Sequence, residues 1–93
     1  MNEVELIQGL RNGEEVAFKF LVNNYQDRVF NTAIGIVQNA EDAEDVAQEV
    51  FIQVFRSVQS FKAESKLSTW IYRITTTRAL DHLRSRKSKK RFG

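Results

Sequence analysis

The residues that could bind a charged partner fall into two groups, one acidic and one basic. Acidic and amide side chains lie close together at Glu41, Asp42, Glu44, Asp45, Gln48 and Glu49. Aromatic, hydroxyl and basic side chains follow in residues 61–86. Carboxylates attract basic protein surfaces, whereas aromatic rings beside Lys and Arg are typical of contacts with bases and phosphates. The spacing therefore indicates two separate binding surfaces.

The sequence contains no arrangement that is typical of an enzyme or a metal centre. His82 is the only histidine, the chain has no cysteine, and no carboxylates are spaced around His82 as metal ligands. No glycine-rich phosphate-binding loop is present. We therefore expect no catalytic residues, no metal and no enzymatic activity.

Length and composition indicate one small helical domain. The chain has 93 residues, of which 42% are hydrophobic and 28% are charged, as in ordinary folded proteins. It contains no proline, only four glycines, and no apolar run of the length that a membrane span needs. We expect an all-α protein, located in the cytoplasm and not inserted into a membrane.

Charge is distributed unevenly along the chain. Residues 1–72 carry six Lys or Arg against eleven Asp or Glu, a net charge of −5, whereas residues 73–93 carry eight against one, a net charge of +7. A basic end on an acidic body indicates a nucleic-acid contact that is confined to one face. For residues 87–91 alone, a solvated tail is an equally good interpretation.

Apolar spacing predicts a compact bundle of three main helices and a short N-terminal helix. The short helix ends at the turn signal Asn12-Gly13, and a longer one extends from Glu14 to about Gln38. Gly35 lowers the helix propensity of this second segment. A close helix crossing at that position would explain the glycine.

The third and fourth helices are separated by a loop at residues 60–68. Asn39 is a good N-cap for the third helix, Ser65 or Ser68 can cap the fourth, and Leu67 can attach the loop to the core. The predicted core includes the valine row Val46, Val50, Val54 and Val58, together with Trp70 and Ile74.

The third helix presents a second face beside the valine row. Asp45, Gln48, Glu49 and Ile52 share this face because they follow helical spacing. Acids at a helix start also complement the helix dipole, so one interpretation is a capped, solvated helix end. The other is a docking surface for a basic partner helix. Both interpretations are open at this point.

The fourth helix combines aromatic, hydroxyl and basic side chains. Trp70 and Tyr72 are common core or rim residues, but their basic neighbours also favour base stacking. Thr75, Thr76 and Thr77 are poor helix formers. Their hydroxyls are retained either for contacts with a ligand or because buried packing overrides propensity.

Three segments together resemble region 2 of bacterial sigma factors, and the extracytoplasmic-function (ECF) group in particular. They are Asp42 to Phe51 (DAEDVAQEVF), Phe61, and Ser68 to Ile74 (STWIYRI). Residues 18–37 also resemble the preceding helix of that family. The resemblance implies a sigma region 2 domain over residues 1–93, with a basic linker from about residue 85.

The resemblance implies two kinds of contact. The third helix would dock on the clamp helices of the RNA polymerase β′ subunit through Asp45, Gln48, Glu49, Ile52 and Phe55. The loop and the fourth helix would read the non-template strand of the promoter minus-ten element, with one base flipped into the loop. The residues implied for DNA binding are Phe61, Lys62, Ser65, Lys66, Leu67, Ser68, Trp70, Arg73, Thr77, Arg78 and Arg84.

The chain departs from the family pattern in two ways. Thr77 replaces an asparagine that is frequent in the family, which changes the base preference expected at that position. A full family member also continues into region 4, which reads the minus-thirty-five element and which we expect to be absent here. An anti-sigma protein is a further implied partner, and no cofactor is implied. The competing hypothesis is a small helical nucleic-acid-binding regulator that is not tied to polymerase.

Overall fold

A computed structural model describes the backbone of residues 1–92 and the side chains of residues 1–86. This part of the chain forms four α-helices and no strand: α1 (Glu3–Arg11), α2 (Glu15–Val37), α3 (Ala40–Ser57) and α4 (Leu67–Phe92), with a 3-10 turn at Val58–Ser60 between α3 and α4. The predicted all-α fold with three main helices and a short first one is confirmed. Within residues 1–92, no helix is long and apolar enough to cross a membrane.

Two of the four helices, α1 and α3, begin at an asparagine whose side chain caps the first turn. The Asn2 side chain accepts from the Glu5 amide at 2.8 Å, and Asn39 accepts from the Asp42 amide at 2.9 Å, as predicted for Asn39. Helix α4 begins at Leu67, one residue before Ser68, so Ser68 lies inside the first turn and is not its cap. Helix α4 also continues through the segment that was predicted to be a basic linker. The side chains of residues 87–91 lie outside the described residues.

The core lies where α2, α3 and α4 meet, with α1 packed on α2. All four members of the valine row are buried, with at most 1% of their surface exposed. Ile74 is also buried, whereas Trp70 is only half-buried and packs against the edge of the core. Burial of one stripe from each helix supplies most of the stability of such a bundle, because helix propensity alone is marginal.

The close helix approach occurs at Gly9 and not at Gly35. A Cβ atom on Gly9 would lie 2.6 Å from the Cβ of Ala17 on α2, a distance that real Cβ atoms do not adopt. Around Gly35, a Cβ atom would meet none of the described atoms within 4 Å, and the residue is exposed. The expected crossing at Gly35 is therefore wrong, and α1 depends on a glycine at position 9 to reach α2.

These two glycines give a matched pair of stability predictions. Gly35→Ala should raise the free energy of unfolding by about 0.5–1 kcal/mol, because alanine loses less backbone entropy in a helix. Gly9→Ala should lower it by about 1–3 kcal/mol, because the new methyl group overlaps Ala17. Denaturant unfolding followed by circular dichroism measures both values. Shifts of the same sign in the two variants would contradict this account.

Candidate functional site

The acidic face of α3 is the first candidate surface. Asp45, Gln48 and Glu49 are exposed, while Ile52 and Phe55 each expose 50% of their surface. The Phe55 ring packs against the Phe18 ring of α2 in a T-shaped arrangement, with the ring centroids 5.6 Å apart and the planes at 81°. The valine row turns to the other side of the helix, into the core. All five residues predicted for polymerase binding therefore lie outside the core on one side of α3.

A pocket between the α3–α4 loop and α4 is the second candidate surface. This loop pocket has a volume of about 410 Å³ and is lined by Ser60, Phe61, Lys62, Glu64, Ser65, Trp70 and Arg73. Five of its residues were predicted to bind DNA, and the structure brings these five together. Glu64 was not predicted, since an isolated exposed glutamate in a loop gives no signal in the sequence.

Two buried side chains attach the loop to the core. The Phe61 ring is 6% exposed and stacks on Trp70, with centroids 4.7 Å apart and planes at 26°. Leu67 at the other end of the loop has no exposed surface. The Leu67 side chain, which was predicted to contact DNA, is buried and anchors the start of α4. Trp70 has one ring face covered by Phe61 and also lines the pocket, so it serves both the packing and the pocket.

Arg11 at the end of α1 holds the first half of this loop. Its guanidinium group donates hydrogen bonds to the backbone carbonyls of Val58, at 3.3 Å, and Phe61. The Gln59 side chain in turn donates to the Arg11 carbonyl at 2.6 Å. Sequence reasoning missed Arg11, because nothing near it in the sequence connects it with a loop about 50 residues away.

Ala63 in the same loop has φ +57°, in the left-handed region that a residue with a Cβ atom rarely adopts. Such a conformation costs about 1–2 kcal/mol and persists only where the surroundings enforce it. The bonds from Arg11 and the burial of Phe61 and Leu67 supply that constraint. The loop thus has a defined shape, which a selective pocket requires.

The outer face of α4 continues from the loop pocket. Arg73, Thr77 and Arg84 are exposed and follow helical spacing together with Leu80, which is 41% exposed. Arg84 forms an exposed ion pair with Asp81 at 3.5 Å. Lys66 is exposed just before the helix. Ser68 is half-buried and faces α2, on another side of the helix.

The three threonines of α4 have different environments. Thr75 is buried and donates to the carbonyl of Ile71 at 2.7 Å, and Thr76 donates to Arg73 at 3.0 Å. Thr77 is exposed, and its hydroxyl forms no hydrogen bond within the described residues. Packing therefore explains Thr75, and only Thr77 offers an uncommitted hydroxyl on the outer face.

Arg78 is separated from the other residues predicted to bind DNA. Successive residues of an α-helix are rotated by about 100° about its axis, so the Arg78 side chain points away from the outer face and toward α3. Its Nε atom donates to the side-chain oxygen of Gln53 at 2.5 Å, and Glu49 and Arg56 lie beside it in the groove between the helices. The structure therefore places Arg78 next to the acidic face of α3 and not with Arg73 and Thr77.

Asp42 is the centre of a charged cluster between α3 and α4. Its carboxylate accepts from Arg86 at 2.5 Å and lies 3.4 Å from the His82 ring nitrogen. Arg86 also donates to the carbonyl of Val37 at 3.1 Å, so the cluster joins α4 to the ends of α2 and α3. Of the acids that the sequence groups together, Asp42 is thus used internally.

Asp42, Asp45 and His82 place potential metal-ligand atoms within 4.8 Å of one another. Sequence spacing did not reveal this group because its members belong to two helices. Arg86 already pairs with Asp42, and its positive charge opposes a cation at the same oxygen atoms. We therefore assign Asp42, with His82 and Arg86, a structural role in attaching α4.

Comparison with known proteins identifies the family. Residues 21–89 match the family described as Sigma-70 region 2. The chain belongs to this family. The resemblance to region 2 of ECF sigma factors is confirmed by individual relatives.

The chain is 36% identical over 81 residues to the ECF RNA polymerase sigma factor SigW of Bacillus subtilis, an alignment that covers 87% of this chain and 43% of that protein. It is 37% identical over 82 residues to the RNA polymerase sigma-H factor of Pseudomonas aeruginosa, covering 88% and 42%. The chain thus spans less than half the length of these curated relatives. A solved structure with a TM-score of 0.87 and 32% identity covers 96% of this chain and 93% of its own: an engineered region 2 of sigmaE in complex with GTAAAA.

The role of Arg11 can be tested without a ligand. Arg11→Ala removes the donors to Val58 and Phe61, so amide hydrogen exchange at residues 58–66 should become faster. The free energy of unfolding should fall by about 1–2 kcal/mol. Lys19→Ala is the control, because Lys19 forms an exposed pair with Glu15 on α2, away from the loop. Equal exchange of the loop in the Arg11 variant and the wild type would show that the loop is held without Arg11.

Proposed function

We propose that this chain acts as the region 2 domain of a bacterial transcription initiation factor. It binds core RNA polymerase and captures the minus-ten element of promoter DNA as a single strand, in the cytoplasm and without catalysing a reaction. The observation that carries the proposal is the pairing of an acidic face on α3 with an aromatic and basic pocket at the start of α4 in a member of the sigma-70 region 2 family.

The polymerase contact is assigned to the acidic face of α3. Asp45 and Glu49 supply negative charge, and the half-exposed side chains of Ile52 and Phe55 supply apolar area beside it. A basic coiled coil fits such a surface, since charge complementarity orients the encounter and apolar burial stabilises the complex. We propose the clamp helices of the β′ subunit as this partner.

The DNA contact is assigned to the loop pocket and the outer face of α4. Unpairing and flipping one base costs a few kcal/mol, which stacking and hydrogen bonds in a pocket offset. Trp70 offers an aromatic surface, Ser65 and Glu64 offer polar groups for a base edge, and Lys62 and Arg73 offer charge for the strand. Arg84 and Thr77 extend this surface along α4. Capture of the non-template strand in this way makes promoter melting more favourable.

The proposed DNA surface leaves out three residues of the set implied by the sequence. Ser68 faces α2, on another side of α4. Leu67 anchors the loop from within the core, and Arg78 is hydrogen-bonded to α3. A regulator unconnected with polymerase would use the same pocket but would have no use for the acidic face. An anti-sigma protein is a further proposed partner, and it would compete for one of the two surfaces.

The first test concerns the polymerase contact. Asp45→Lys should weaken binding to core polymerase by about tenfold or more, because it places a like charge against a basic coiled coil. Asp27→Lys is the matched control, since it makes the same charge change at an exposed position of α2. Binding is measured with labelled protein, and circular dichroism verifies the helical content. Equal affinities of the two variants would refute the assignment and favour the regulator hypothesis.

The second test separates base selection from general charge. Ser65→Ala, in the loop pocket, should change the ranking of single-stranded minus-ten variants, because a polar group that reads a base edge is lost. Arg84→Ala should lower the affinity for all strands alike and reduce its salt dependence, because Arg84 contacts phosphate. Titrations of fluorescent oligonucleotides at low salt measure both effects. The reverse pattern would mean that the two roles are exchanged.

A further inference from the structure

We infer that α3 carries a hole for one acidic side chain of a partner helix, and that this hole fixes the direction in which the partner docks. The hole is formed by Glu49, Ile52, Gln53 and Arg56, which follow the spacing i, i+3, i+4 and i+7. Four residues at this spacing form the hole that accepts a knob in a coiled coil. The inference rests on the proposed function, because it takes the clamp helices of polymerase as the partner.

The hole opens into a groove between α3 and α4. This groove has a volume of about 510 Å³ and is lined by the four residues of the hole together with Ser57 and Arg78. Ile52, which exposes 50% of its surface, supplies an apolar wall. The volume lies within the range of sites that enclose a small ligand, so one long side chain fits into the groove.

Two cations in the groove select an acidic side chain. Arg56 is exposed on α3, and Arg78 reaches the groove from α4. The Nε atom of Arg78 donates to Gln53, whereas its terminal nitrogens form no hydrogen bond within the described residues. Glu49 is the only acid among the described residues that line the groove, and it lies two helical turns, about 10 Å, from Arg56. A carboxylate at the Arg56 end therefore meets two guanidinium groups, which bind carboxylates well.

The helix dipole accounts for only one of these two cations. Arg56 lies in the last turn of α3, where a positive charge is favourable at any helix end. Arg78 lies well inside α4, far from either end of that helix, and has no such role. Convergence of the two side chains on one groove therefore indicates a site for an anionic group.

The exposed face of α3 also has a direction. Asp45, Glu49, Ile52 and Arg56 follow steps of four, three and four residues, which is the seam spacing of a coiled coil. Charge along this seam changes from negative at Asp45 to positive at Arg56. Asp45 lies about 10 Å along the helix from the middle of the hole, since each residue rises 1.5 Å. A matching partner helix thus carries a basic residue about seven positions from its acidic knob.

A protein carboxylate fits the groove better than a phosphate of DNA. The groove lies on the side of α4 that faces α3, away from the proposed DNA surface at Arg73 and Thr77. A nucleic-acid strand along this seam would pass Asp45 and Glu49, whose charges repel phosphates. A helix of mixed charge avoids that repulsion, because it places its cation opposite these acids and its carboxylate at Arg56.

The test exchanges charges across the complex with core polymerase. Arg56→Glu should weaken binding to the wild-type core by about tenfold, because it places a carboxylate against the acidic knob. Arg28→Glu is the matched control, since it makes the same charge change at an exposed position of α2 beside α4, away from this groove. Affinities are measured with labelled protein, and circular dichroism verifies the helical content of both variants.

Variant core polymerases then identify the knob. In each of them, one exposed acidic residue of the β′ clamp helices is replaced by lysine. One such core should bind the wild-type protein about tenfold more weakly and regain most of the affinity with Arg56→Glu, but not with Arg28→Glu. A basic residue about seven positions away on the same helix, replaced by glutamate, should be rescued by Asp45→Lys.

The possible results distinguish this inference from the proposed function. Equal affinities of the Arg56 and Arg28 variants, or the absence of any rescued core, would overturn the hole; weak binding by Asp45→Lys would still support the acidic face. Weaker binding of single strands by Arg56→Glu, with unchanged affinity for polymerase, would assign the groove to a phosphate and also overturn the inference. Full affinity of Asp45→Lys for the wild-type core would refute the polymerase part of the proposed function as well.

Discussion

The burial of Phe61 and Leu67 at the two ends of the α3–α4 loop is the constraint on which the candidate site depends. These side chains leave only residues 62–66 to form the outer wall of the loop pocket, between a turn held by Arg11 and the first turn of α4. The stack of Phe61 on Trp70 places the tryptophan at the junction of core and pocket. In the proposed function, a loop fixed in this way discriminates between bases, because a mobile loop would lose entropy on binding and adapt to any of them.

Packing divides the charged residues into those that face partners and those that hold the bundle together. Arg78 and Arg86 belong to the basic end of the chain, yet Arg78 bonds to Gln53 and Arg86 pairs with Asp42. Asp42 similarly belongs to the acidic run but is used within the fold. The net charge of each part of the chain therefore overstates how many charged side chains are available to a partner on the acidic face and on the basic surface. In the proposed function, the residues available to partners are the acidic residues on the exposed face of α3 and the exposed basic residues of the loop and of the outer face of α4.

The same helical bundle carries the acidic face of α3 and the loop pocket, so the fold fixes their relative position. Helix α3 presents the acidic face and leads directly into the turn that Arg11 holds, so the face and the loop pocket have a fixed relation. A partner that positions α3 therefore also positions the pocket. In the proposed function, polymerase binding sets where the captured base must lie, and the strand loses less freedom on entering a pocket that is already placed.

The sequence by itself determined the helices, the valine row, the Asn39 cap and the exposed face at Asp45, Gln48 and Glu49, because these follow from contacts between residues three or four positions apart. It also indicated which residues would line the loop pocket, through a family resemblance. Only the tertiary structure decided the roles of Arg11, Arg78 and Asp42, whose partners lie 47, 25 and 44 residues away. Periodicity reports on one helix at a time, whereas these pairings depend on how the helices pack. The same reason places the close approach at Gly9 and not at Gly35, and makes Leu67 an anchor of the loop.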